Sequence, residues 1–522
     1  MAYPGPDKNH PQTGIIAGMT FRRLFRASLL LIPFVLASLA CNYVLSPFLP
    51  PTPTPTIAAL AELPRQPGEL RPPTATPTPT PTLTPTATNT PEPTPTATAT
   101  LPPTPTIDAA KLNDPDRPTL SGEVLLFGTE HFLVHYTLSG RDSAPRTDVN
   151  SNGYPDYVEA VGEAMERSWQ VEIVSLGWAT PPSDGGLGGD ARYDVYLVDI
   201  YDDGTAGYTD GGYRETTIGD NPNTLALEND SSHSFIAIDN DFQEDNLFSP
   251  VELMQVTAAH EFNHAIQFGY DGDEPADWLW EATATWMEDM VYDDINDGVY
   301  YLDAVFNMPW ACQIAEETDG GEYHWYGMWI FLRYLSETHG PDVVRLIWEN
   351  TVSQDGYPAI EMALSSAGTT LDEAVYGFAV AMLTYNFEEG NSYPALELKG
   401  EVEAGQTFSP EEGISQMGTD FISLTNLENV APVVSVTLQG LDHGLVVGMR
   451  GGEADVFRFQ NGQAALEVAE YDYVYVIVLN LLRANREAEC QETRYTLLTG
   501  PGEQAHLPER TLITPNFRPL TP

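Results

Sequence analysis

A chain of 522 residues is long enough for more than one domain, and 75 acidic against 23 basic residues give it a formal net charge of −52. Such a field repels nucleic acid and anionic membrane surfaces, so neither is an expected partner, while it favours solubility and attracts divalent cations. Three cysteines exclude a disulfide-stapled scaffold: Cys41 has an explanation of its own, and Cys312 and Cys490 remain either one disulfide or two buried thiols.

Residues 1–18 are polar, and Met19 opens a basic stretch that leads into the apolar run Ala27–Ala40 and Cys41. That run has the charge and length of a secretion signal and is too short for a comfortable membrane span. Ser38-Leu39-Ala40-Cys41 approximates the sequence that precedes a lipid-modified cysteine, departing at Ser38 where Leu is usual. Residues 1–41 are therefore expected to be a signal peptide with a lipobox-like end, and a lipid on Cys41 would be the only membrane attachment. Cleavage nearby with release, or an uncleaved anchor, is the alternative. Residues 42–119 follow as a Thr/Pro-rich stalk, dominated by Thr-Pro and Ala-Thr repeats. With few large apolar residues it builds no core and reads as an extended, disordered spacer.

The foldable part is expected from residue 120. Val124–Phe127 and His131–Thr137 read as strands, the second alternating. Asp148-Val149-Asn150-Ser151-Asn152-Gly153-Tyr154-Pro155-Asp156-Tyr157-Val158-Glu159 then matches a calcium loop. Asp148, Asn150, Asn152, Asp156 and Glu159 place oxygens at positions 1, 3, 5, 9 and 12, Tyr154 offers its carbonyl, and Gly153 allows the sharp turn. A helix over 158–175 leaves the loop and a strand enters it, so the pattern is EF-hand-like and its Ca²⁺ structural. Arg192–Ile200 and His233–Ile238 read as further strands.

The stretch Val256-Thr257-Ala258-Ala259-His260-Glu261-Phe262-Asn263-His264 contains H-E-x-x-H. On a helix, His260 and His264 stand one turn apart on one face and can grip a single Zn²⁺, while Glu261 lies beside it as a proton acceptor. Ser249 and Glu252 form a capping box, Pro250 suits the first helical position, and Gly269 suits the stop. Catalytic zinc needs a third protein ligand. Glu281, seventeen positions beyond His264 in Trp278-Leu279-Trp280-Glu281-Ala282-Thr283-Ala284-Thr285-Trp286, is in reach of an antiparallel return. As an exposed helix acid it would be no different from Asp277 or Glu288, which share its segment.

H-E-F-N-H-A-I-Q followed by W-L-W-E-A-T-A-T-W resembles the gluzincin metalloproteases, nearest to poorly characterised secreted bacterial members, hyicolysin-like ones among them. The resemblance covers residues 120–390. It implies that His260, His264 and Glu281 bind a catalytic Zn²⁺, that Glu261 is the general base, and that the strand over 234–238 borders the substrate cleft. Gluzincins often place a Tyr or His opposite the metal to stabilise the oxyanion, which points to Tyr326, with His324 in reserve, on an aromatic helix over 323–335. Thermolysin-type members carry Asp four residues after the ligand glutamate; here that residue is Thr285. The extended metzincin motif is absent after His264.

Beyond 390, short apolar stretches divided by Gly, Asn and Asp read as strands. The expected fold is α+β: a zincin-like domain of mixed sheet and active-site helices at 120–395, a small β-sandwich-like domain at 396–505, and a disordered tail at 506–522. The expected molecule is a monomeric zinc endopeptidase acting on protein or peptide substrates, either anchored to the bacterial cell surface as a lipoprotein or secreted. Two rivals stand beside it: an inactive zincin-fold binding or adhesion module, and a zinc hydrolase of a non-peptide bond.

Overall fold

The computed structural model describes residues 15–16 and 107–513, apart from 113, 202–204, 214–215, 244–247, 322, 485–488 and 504–509. Apart from Ile15 and Ile16, the expected signal segment, Cys41 and most of the stalk lie outside the described residues. The described chain is a mixed α+β structure with several sheets and no helix long and apolar enough to cross a membrane.

Its first sheet contains β1 (Ile15–Ile16), β2 (Leu125–Gly128), β3 (Phe132–Tyr136), β4 (Tyr193–Val198), β5 (Gly207–Asp210) and β8 (Phe235–Asp239), in the order β1-β5-β8-β4-β3-β2. Strands β3, β4 and β8 are parallel, while β2 and β5 pair antiparallel on either side of them. A hairpin of β6 (Thr217–Gly219) and β7 (Ser231–Ser232) stands apart. All five residues of β3 are buried, where alternation had suggested a half-exposed strand. Both faces are covered: Phe132, Val134, Val195, Ile236 and Ile238 pack on the helices, and Tyr196, Phe235 and Ala237 pack against Leu120 on the other side.

That second face moves the start of the fold upstream of the expected stalk boundary at 119. Asp108 N–H donates to Gly189 O (2.7 Å), and buried Arg117 bonds Asp194 (3.0 Å) and Asp184. Two buried carboxylates need a cation beside them, and the end of the Thr/Pro-rich stretch supplies it. Strand β8 is interior, between β5 and β4. The strand over 234–238, expected at a cleft edge, is instead flanked by a strand on each side, and both it and β5 pack against the H-E-x-x-H helix.

Nine helices follow among the described residues: α1 (Asp156–Trp169), α2 (Pro250–Tyr270), α3 (Asp277–Tyr292), α4 (Leu302–Phe306), α5 (His324–Gly327), α6 (Trp329–His339), α7 (Asp342–Thr351), α8 (Tyr357–Ser366) and α9 (Leu371–Thr384). A π-helical turn, Gln170–Ser175, extends α1. Both halves of the capping box form on α2: Glu252 N–H donates to Ser249 Oγ (3.3 Å) and Ser249 N–H to Glu252 Oε2 (3.0 Å). The helix runs through Gly269 rather than stopping there. The missing side chain instead admits Asn221, whose amide donates to Gly269 O (3.1 Å).

Ten strands complete the chain: β9 (Gly400–Glu403), β10 (Thr407–Phe408), β11 (Thr419–Thr425), β12 (Val433–Gln439), β13 (His443–Arg450), β14 (Glu453–Arg458), β15 (Gln463–Glu467), β16 (Tyr473–Leu479), β17 (Thr496–Pro501) and β18 (Arg510–Ile513). They form a four-stranded sheet, β10-β17-β12-β15, and a six-stranded sheet, β18-β14-β13-β16-β11-β9. Strand β18, inside the expected disordered tail, pairs with β14. Within the six-stranded sheet, β13 and β16 are buried on both faces with a period of two. Val474, Val476 and Val478 enter the core between the sheets, whereas Tyr475, Ile477 and Leu479 enter the same core as α6 and α9.

Cys312 and Cys490 form a disulfide across this junction, 178 residues apart in sequence. A bridge closing so long a loop stabilises the fold chiefly by restricting the unfolded chain. Replacing both cysteines by serine should cost about 2–4 kcal/mol, read as a lower denaturant midpoint; an unchanged midpoint would show that the bridge adds nothing.

Candidate metal centre

Helix α2 is buried on every side from Val256 to Tyr270, although it carries His260, Glu261, Asn263, His264 and Gln267. Polar groups in such a place need partners. The arrangement of those partners fixes the state of each side chain.

His260 Nδ1 faces Glu288 Oε1 at 2.5 Å, and His264 Nδ1 faces Gln267 Oε1 at 2.6 Å. Burial pushes the Glu288 carboxyl up to about 8, and burial together with the adjoining Glu288 pushes Asp297 well above the carboxylate range, while a Glu288 oxygen remains placed to accept from His260 Nδ1. Both imidazoles therefore carry hydrogen on Nδ1. Their Nε2 atoms stand 3.0 Å apart, and Glu281 Oε2, brought in by α3, lies 3.3 Å from His260 Nε2 and 3.7 Å from His264 Nε2. Glu281 Oε2 is buried and receives no hydrogen bond among the described residues. Three lone-pair-bearing atoms converge here, and a shared proton or a metal cation is needed between them.

The spacing fits a metal. Tetrahedral donors about 2.0–2.1 Å from a Zn²⁺ are roughly 3.3–3.4 Å from each other, and the three separations bracket that value. Burial alone would raise Glu281, but the two imidazoles outweigh it and hold its carboxyl down to about 2. The site thus keeps a negative charge for a cation.

Glu261, the residue after the first ligand candidate, is buried beside this triangle. Thr209 Oγ1 on β5 donates at 2.8 Å to its Oε2 and lies 2.8 Å from its main-chain oxygen. Burial pushes its carboxyl up; the neighbouring imidazoles offset that only in part. A Cβ on Gly207 would come within 2.9 Å of Glu261 Cγ, so β5 packs directly on the carboxylate-bearing turn.

The two expected oxyanion-stabilising candidates separate. The Tyr326 ring is stacked on His260 (5.9 Å between centroids, 15° between planes), and burial followed by Glu281 keeps its phenol protonated. Tyr301 and Tyr323 pack around it. His324 faces elsewhere: its Nδ1 donates to Ala315 O (2.9 Å), and burial lowers it to about 4. It lines a separate small cavity with Met328 and Met382. His324 is therefore corrected, because positions two apart on a helical turn point to opposite sides.

Sequence reasoning placed Glu288 on the Glu281 face without a role, and it missed Asp297, Gln267 and Thr209. Glu288 lies seven residues beyond Glu281, two turns up the same helix face, and Gln267 lies three beyond His264. Those spacings were the available signal. Thr285, where an Asp would have been expected, is buried with Oγ1 unpartnered.

The loop from Asp148 to Glu159 is wound around its own side-chain oxygens. Asp148 accepts from Asn152 N–H (3.2 Å) and Gly153 N–H (3.0 Å), and Asn152 Oδ1 accepts from Tyr154 N–H (2.9 Å). Glu159 receives the amides of Asn150 (3.0 Å) and Asn152 (2.6 Å), while Asp156 accepts from Val149 N–H (3.0 Å) at the start of α1. Gly153 has φ +97°, which a side chain would strain. A third acidic group, Asp271, Glu274 and Asp355, gathers at the α2–α3 loop.

Residues 227–481 match the model of a family described as a family of unknown function (DUF6055). The matched segment includes α2, α3 and most of the sandwich as one stretch, and it excludes the loop at 148–159. No curated protein matches the chain.

Removing the acceptor beside His260 tests the centre. Glu288→Ala should weaken Zn²⁺ binding about 10–100-fold in competition with a chromophoric chelator; undiminished affinity in the folded variant would rule out Glu288 as the partner of a ligand.

Proposed function

We propose that the protein is a zinc-dependent endopeptidase of the gluzincin type, with a zincin-like arrangement of sheet and helices and with His260, His264 and Glu281 as metal ligands. The observation that carries this reading is the face-to-face placement of three buried acceptor atoms beside a buried glutamate. Zn²⁺ held there would supply a Lewis acid and acidify water. Glu261 would accept the proton of the attacking water at a carboxylate oxygen and return it to the departing amine. Thr209 fixes its direction through a hydrogen bond to Oε2. The Tyr326 phenol, protonated and next to Glu281, is placed to donate to the oxygen of a polarised peptide carbonyl.

Ca²⁺ is the cation proposed for the loop at 148–159, where it would brace the start of α1. A disulfide and a strongly acidic composition suit an oxidising, extracellular setting, in keeping with a secreted or lipid-tethered form.

Glu261→Gln should retain one tightly bound zinc per chain while casein cleavage falls by at least about 10²-fold. Zinc in both proteins with cleavage in neither would move the reading to a binding module or a hydrolase of another bond, and a folded protein that binds no zinc would sink it. Separately, Ca²⁺ should raise the melting temperature of the wild type and leave Glu159→Ala unmoved; equal responses would remove the loop as a calcium site.

A further inference from the structure

His264 differs from His260 in what stands behind it. His260 is backed by a carboxylate, His264 by the neutral amide of Gln267, and that amide begins a chain of hydrogen bonds with a defined direction. Gln267 Nε2 donates to the main-chain oxygen of Trp280 (3.2 Å), an atom that can only accept. That acceptor favours the orientation that turns Oε1 toward His264 Nδ1, and the rest of the series decides how firmly it is held. The same Nε2 donates to Asn263 Oδ1 (3.0 Å), which turns Asn263 Nδ2 toward Glu172 Oε2 (3.2 Å). Every donor in the series points away from His264, and the last acceptor is Glu172.

Glu172 is an unusual terminus. It is fully buried, its Oε1 has no hydrogen-bond partner among the described residues, and it lies in the π-helical turn that prolongs α1. Single π-turns recur at functional sites because the extra residue re-aims a side chain. Burial pushes its carboxyl well above the usual range, so it is held neutral. A carboxyl with an unsatisfied buried oxygen destabilises a fold, and a leucine there would be better tolerated. Keeping the acid calls for a role other than packing.

We propose that Glu172 is a positioning residue for the metal centre: through Asn263 and Gln267 it fixes the His264 imidazole with its hydrogen on Nδ1 and its Nε2 lone pair toward Glu261's side of the triangle and Glu281. The proposal rests on the reading of His264 as a metal ligand. Without the Glu172 acceptor, Asn263 Nδ2 is left buried and unpaired, and any flip of Asn263 sets two amide nitrogens against each other. The order of the series then loosens back to His264.

The test compares full-length wild type, Glu172→Gln and Glu172→Leu. One readout is Co²⁺ affinity, and the other is the ¹⁵N spectrum of the metal-free protein, with His264 assigned through His264→Gln. Glu172→Gln keeps an acceptor and should match the wild type in both. Glu172→Leu trades an unsatisfied buried oxygen for an unpaired amide and should still fold, yet bind Co²⁺ about ten-fold more weakly and show His264 as a mixture of tautomers. Unchanged affinity and an unchanged tautomer in Glu172→Leu would overturn the proposal. If Glu172→Leu fails to fold, Asn263→Ala cuts the series one link earlier, with the same expected loss and the same overturning result. If the wild type itself binds no Co²⁺, the metal reading fails, and the tautomer alone decides: a mixture confined to the leucine variant supports the relay, and one pattern in all three proteins overturns it.

Discussion

Two imidazole lone pairs and a carboxylate oxygen held face to face, away from water, repel one another unless a shared proton or a metal cation joins them. Much of the surrounding structure follows from keeping that arrangement in place. Helix α2 must be enclosed on all sides, so every polar side chain it brings inward needs a partner from another element. Each acceptor left bare in such a place costs about 1–3 kcal/mol. Glu288 comes from α3, Thr209 from β5, and Glu172 from the end of α1. The centre is thus tied to the sheet, to both flanking helices and to the π-turn, and a shift in any of them would reach the histidines.

The parts legible from sequence are those whose signals are local. The start of α2 was written in Ser249, Pro250 and Glu252, and the pairing of His260 with His264 needs only the helical repeat. Strands β3, β4 and β8 announced themselves by β-branched and aromatic runs. What escaped depends on chain segments that meet only after folding. Arg117 looked like the end of a spacer until Asp184 and Asp194 stood beside it. Glu288 looked like any acid on a helix until His260 faced it. The aromatic run at 323–335 read as one helix, but Tyr323 takes a left-handed conformation and Gly327 passes so close to Tyr301 that a Cβ would lie 2.5 Å from its carbonyl oxygen. The left-handed Tyr323 begins α5 and a break at Met328 separates it from α6, and periodicity alone could not say which of His324 and Tyr326 faces the candidate metal centre.

The change of texture near residue 390 is real in secondary structure, since the helices end at Thr384 and strands begin at Gly400. It does not divide the apolar interior. Alternate residues of β13 and β16 serve two cores, one between the sheets and one shared with the helices. A sheet with two apolar faces has no solvent side to show if the halves were parted, so the sandwich is a wall of the helical region as much as a companion to it.

The disulfide adds a topological property to that wall. Everything from α5 to β16 lies between Cys312 and Cys490. A nick in any loop of that interval yields two chains that are still one covalent molecule. Cleavage there by any protease would then be survivable: the severed ends stay at the high effective concentration of a single molecule and the shared core holds them in register.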